Sequence, residues 1–147
     1  MAASGQADPD GAQESPGARI RRLVAEGKIS AEEVEAAERL WRERLRGGVK
    51  MPNGELVSIT LDDVRHLIVD HRIARHPERI ERLLHNVFEI RTAPLQRRLI
   101  LSRWFESGQE VIGYGILTPE GGVRSMHIVD QRRLRRLMRS GDLLWKR

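Results

Sequence analysis

Between Val87 and Asp130 the chain carries Glu89, Arg91, Arg98, Ser102, Tyr114, Ser125 and His127. In the helical region before it stand His66 and His76. A carboxylate, guanidiniums, hydroxyls, a phenol and an imidazole form an inventory suited to proton transfer next to a charged, tetrahedral centre. A carboxylate or imidazole can take a proton from a hydroxyl, and arginine can stabilise charge that develops on phosphate. His127 can then return a proton to a leaving oxygen. Histidine titrates in the range such traffic requires. The alternative is a sheet face that merely meets solvent, with its Glu and Arg residues paired across strands.

These residues sit in four short apolar runs, VFEIRT, RRLILSRWFE, EVIGYGILTP and VRSMHIVD. The runs predict a four-stranded antiparallel meander built from hairpins. Alternation puts Phe88 and Ile90 on one face with Met126 and Ile128. Glu89, Arg91, Ser125 and His127 then share the opposite face. In the second run Leu99, Leu101, Arg103 and Phe105 oppose Arg98, Ile100, Ser102 and Trp104; both sets are largely apolar, as in a strand covered on both sides. If the Arg98–Ser102 set and Tyr114 join the polar face, all the candidate groups meet. Gly113 and Gly115 clear one face for twist or a close helix.

Helices must hold this sheet. Residues 1–18 lack apolar periodicity and are expected to be disordered. Residues 19–46 read as a helical hairpin. Gly27 ends its first helix, Ser30 and Glu33 form a capping box, and Val34, Ala37, Trp41 and Leu45 supply one seam. The stretch RIRRLVAEGKISAEEVEAAERL resembles the SHOCT-like helical hairpin. That resemblance implies a contact with a second copy or a protein partner, while packing within the chain would equally bury the seam. Asn53-Gly54 in MPNGELVSIT signals a type I′ turn. Thr60 and Asp63 cap a helix expected from 61 to 73, and Pro77 opens a second one that ends at His85-Asn86. Residues 131–141 read as a basic helix with Leu134, Leu137 and Met138 inward. Leu143, Leu144 and Trp145 then serve as an apolar tether. The expected organisation is a tail over 1–18, a hairpin over 19–48 and an α+β sheet domain over 49–147.

Charge is uneven along the chain. The net charge of +5 in 147 residues conceals a −1 stretch over 51–130 and a C-terminal stretch, 131–147, with seven bases and one acid. That segment, with Arg132, Arg133, Arg135, Arg136 and Arg139, marks a nucleic-acid-binding helix, unless it only solvates a surface. The chain has no cysteine, so disulfides and thiolate metal sites are excluded, and a reducing cytoplasm suits it. No apolar run reaches membrane-spanning length, and the polar, acidic start resembles neither a secretory signal nor a transit peptide. The histidine spacings match no zinc pattern, so neither metal nor cofactor is expected.

The segment RHPERIERLLHNVFEI, followed by LILSRW, GYGIL and SMHIVD, resembles the small phage- and toxin-associated nuclease domains of the barnase–EndoU–colicin–RelE superfamily. The resemblance spans roughly residues 60–130. It implies N-terminal helices before a four-stranded antiparallel sheet, and a metal-independent ribonuclease or a relative that keeps the fold without the activity. The family's sheet histidine corresponds to His127, its sheet arginine to Arg91 or Arg98, and the hydroxyl beside it to Ser102. Its helix histidine corresponds to His66 or His76. The near-neutral sheet departs from the pattern, since a ribonuclease usually wants a positive cleft. RNA is the expected partner, ahead of DNA; a non-catalytic nucleic-acid- or protein-binding module is the alternative.

Overall fold

A computed structural model describes residues 14–147. The disorder expected over 1–18 falls mostly outside this range, but for residues 14–18 it is corrected. Helix α1 spans Pro16–Ala25; the Ser15 side chain accepts from Ala18 N at 3.1 Å, and Pro16 occupies the first turn, where its missing N–H costs nothing. Gly27 then turns the chain at φ +73°. Helix α2, Ala31–Leu40, opens on the expected reciprocal box of Ser30 and Glu33, with bonds of 2.9 and 3.0 Å. It continues as a π-helical turn, Trp41–Leu45, and Trp41 Nε1 donates to Ile59 O at 2.8 Å. Strands β1, Val49–Lys50, and β2, Leu56–Val57, form a separate hairpin. Its turn is not type I′: of Asn53 and Gly54, only Gly54 has positive φ, and Asn53 Oδ1 instead accepts from Glu55 N.

The single helix expected over 61–73 is two. Helix α3, Leu61–Leu67, starts at the Thr60–Asp63 box; helix α4, His71–Ala74, starts anew because Asp70 accepts from Arg72 N at 2.9 Å. Pro77 lies in a turn ahead of helix α5, Arg79–His85, rather than at its first position. Ile20, Ile29, Ala37 and Leu45 of the N-terminal hairpin are buried in one core with Val64, Leu67, Ile73, Ile80, Leu83 and Leu84. The hairpin seam is thus used within the chain, and Arg65 reinforces it by donating to Glu38 at 2.9 Å.

The meander is present as β3 (Val87–Ala93), β4 (Arg97–Glu106), β5 (Gln109–Leu117) and β6 (Val123–Val129). Helix α6, Gln131–Leu137, follows. The supposed apolar tether is then a fifth strand, β7 (Leu143–Lys146), giving the antiparallel order β6-β5-β4-β3-β7. Helices α3–α5 cover one face, together with Val87, Ile90, Ile100, Trp104 and Met126. On the other face Leu134 of α6 packs with Leu99, Leu101 and Ile112. Gly113 permits the close helix approach expected of it: a Cβ there would lie 2.8 Å from Leu83 Cδ1. At the far end of β4, Glu106 joins the layers by accepting from Arg79 at 2.9 and 3.1 Å and from Trp104 Nε1 at 2.8 Å.

Candidate functional site

Strand register divides the predicted set. Glu89, Leu101, Tyr114 and His127 lie in one row across four strands, and Arg91, Leu99, Ile116 and Ser125 lie in the next. Arg98 and Ser102 belong to the helix-covered face, in register with Thr92 and Val87, so they do not join the others. The assignment of Phe88 is also corrected. A bulge between Val87 and Glu89 turns Phe88 to the same side as Leu99 and Leu101, opposite Ile90.

Several candidates hold the fold instead of facing a ligand. Glu89 is only 3% exposed and accepts from Arg91 at 2.8 Å, while Arg91 Nε donates to Ser140 O at 2.6 Å. This pair pins the segment that leads from α6 into β7. Arg98 binds Glu55 through both guanidinium nitrogens, fixing the β1–β2 hairpin to β4. His76 is exposed between α4 and α5, with Glu78 3.7 Å from its Nδ1. Ser102 is fully buried and its hydroxyl lacks a partner among the described residues. Burying an unpaired hydroxyl is unfavourable. Ser102→Ala is therefore expected to keep the unfolding free energy or raise it by about 1 kcal/mol, read by chemical denaturation; a loss of stability would show that the hydroxyl is bonded.

Four groups do converge, at the β6 edge. His127 Nδ1 lies 3.4 Å from Asp70 Oδ2. The Tyr114 ring centroid is 5.2 Å from that of His127, and the Arg133 guanidinium lies 5.6 Å over Tyr114. Asp70 is there because α3 stops early: capping α4 places its carboxylate against the edge strand. Burial pushes the Asp70 carboxyl up, but bonds from the Arg72 side chain and backbone, the Arg72 charge and His127 together hold it below its ordinary value. The carboxylate directs Nδ1 inward and leaves His127 Nε2 for a ligand.

His66 stands four residues before Asp70. Its surface remains open to solvent, yet the protein crowded round the ring, then the positive charges of Arg19 and Arg124, lower its pKa from 6.5. His127 is close enough to contribute to the same shift. That shift favours the neutral ring, the form a proton acceptor needs.

From Tyr114 and Arg133 a groove of about 570 Å³ runs to Pro94, floored by Leu99 and Ile116 and walled by Leu137. Helix α6 buries Leu134 and leaves Arg132, Arg133, Arg135 and Arg136 exposed, as Arg139 is in the turn that follows it; among the described residues none of these five pairs with a carboxylate. Of these, Arg133 reaches the sheet, over Tyr114. Asp70 and Arg72 are the site residues that sequence reasoning missed. A capping Asp before HR was the one available signal.

Among the described residues no group of three or more His, Asp or Glu side chains is placed to hold a metal ion, and no helix is long and apolar enough to cross a membrane. No protein-family model, curated protein or solved structure matches the chain.

Proposed function

We propose that the protein is a metal-independent ribonuclease-like domain acting at the β6 edge. The observation that carries this reading is His127 held by Asp70 beside Tyr114 and Arg133. His66 takes the proton of a ribose 2′-hydroxyl, and the 2′-oxygen attacks phosphorus. Arg133 stabilises the phosphoryl oxygens, and the 5′-oxygen departs with a proton from His127 Nε2, leaving a cyclic phosphate. Both proton transfers are accounted for without a metal. Likeness of residues 60–130 to the barnase–EndoU–colicin–RelE domains supports the same chemistry. That family's setting would make this a toxin-like, phage-associated module working in the cytoplasm.

The test is incubation with single-stranded RNA and the matching DNA in EDTA. RNA is expected to be cut to fragments ending in cyclic phosphate, and DNA, lacking the 2′-hydroxyl, to stay intact. The unpaired arginines of α6 favour a second reading, a non-catalytic nucleic-acid-binding module. Intact RNA with salt-dependent binding would favour that one.

A further inference from the structure

Past Ser102, strand β4 loses its neighbour on one side. Strand β3 begins at Val87, opposite Ser102, and residues 103–106 pair only with β5. A cleft of about 520 Å³ opens here, lined by Arg82, Asn86, Arg103, Trp104, Phe105 and Glu110. Phe105 is 70% exposed, although it lies on an ordered strand. Its ring is not part of either core cluster. The Arg103 guanidinium is stacked 4.5 Å over the Phe88 ring, and no carboxylate among the described residues pairs with it. Asn86 uses its Nδ2 on Arg82 O at 2.7 Å, which leaves its amide oxygen to accept.

We infer that this cleft binds an unpaired nucleobase of single-stranded RNA, stacked on Phe105, with Arg103 on the adjoining phosphate. A bare phosphate would have no use for Phe105 and would be repelled by Glu110. A purely apolar ligand would leave Arg103, Asn86 and Glu110 without partners. A nucleotide uses all of them: a π-face for Phe105, N–H groups for Glu110 and Asn86, and an anion for Arg103. Glu110 and Tyr114 lie on the same face of β5, four residues apart, which is roughly 13 Å along the strand. That separation makes the cleft a subsite remote from the scissile bond. The inference takes from the cleavage reading only the choice of RNA as the polymer.

The experiment measures anisotropy of a labelled short oligoribonucleotide, single-stranded or annealed to its complement, on His127→Ala protein so that the strand survives. Adding Phe105→Ala is expected to weaken single-strand binding roughly 5- to 150-fold, the value of one base–aromatic stack. Phe105→Tyr should restore it to within about twofold, since a phenol also stacks, and duplex binding should not respond. Unchanged single-strand affinity in Phe105→Ala overturns the inference, as does an equal loss on duplex. Wild-type cleavage of the same strand is scored separately. Cleavage with normal Phe105→Ala binding removes the cleft alone; intact RNA with impaired Phe105→Ala binding removes the cleavage reading and keeps the cleft.

Discussion

His127→Ala is expected to cut the rate of RNA cleavage by about two to four orders of magnitude, the usual value of a positioned acid or base, with stability little changed. The side chain is partly exposed and meets the body mainly through Asp70 and Tyr114, so its removal opens no core cavity. Asp70→Asn should act through His127, lowering kcat without a matching rise in KM, because the amide no longer fixes the imidazole by charge. The pH profile adds an independent check. A general base works deprotonated, and the crowding and positive charges around His66 lower its pKa from 6.5, so the acid limb of kcat/KM should fall below pH 6.5. Arg124→Gln removes one of those positive charges and should move the limb upward. A profile indifferent to both His66→Ala and Arg124→Gln, with activity intact, would sink this assignment of the base.

The largest effect on stability is expected at Glu106. Bonds from Arg79 hold its carboxyl at about 2, against an ordinary 4.5; burial opposes them, while Trp104 and the charges of Arg79 and Arg82 add to them. A folded-state pKa below the unfolded one means stability that is present above about pH 4.5 and lost as pH falls toward 2. Glu106→Gln should therefore lose about 2–3 kcal/mol at pH 7. The difference between wild type and variant should shrink steadily between pH 4.5 and 2. Urea unfolding across that range measures it. A difference that persists undiminished at pH 2 would mean that Glu106 contributes by shape and not by charge.

Local chemistry made much of this fold legible. The boxes at Ser30–Glu33 and Thr60–Asp63 need only neighbours three residues apart, and both formed as read. Alternation within β4 and within β5 was also read correctly, but that Tyr114 shares a face with His127, and not with Arg98 and Ser102, follows only from the register. The break at Asp70 was hidden because Val64, Leu67, Ile68 and Ile73 continue one apolar stripe through it; a single capping carboxylate outweighed the periodicity. The bulge at Phe88 leaves no mark in composition, and it reversed that residue's face. Strand β7 is four residues long, too short for its pattern to differ from any apolar patch. Arg98 and Ser102 failed as site residues for a different reason: alternation says which residues share a face within one strand, but not which faces of neighbouring strands coincide. The pairing of Asp70 with His127 and of Arg133 with Tyr114 joins elements distant in sequence, and no spacing could have announced it.

The bonds that pin α6 and β7 span long stretches of chain: Arg91 to Ser140 and Thr92 to Asp142 link positions 49 and 50 residues apart. Synthesis runs from the N-terminus, and domains fold as they emerge. A nascent chain that has cleared the ribosome only through β6 already holds Tyr114, His127 and the helices behind them. It still lacks Arg133 and every arginine of the basic helix. Arg133 therefore joins Tyr114 and His127 only after the strands that carry them have emerged.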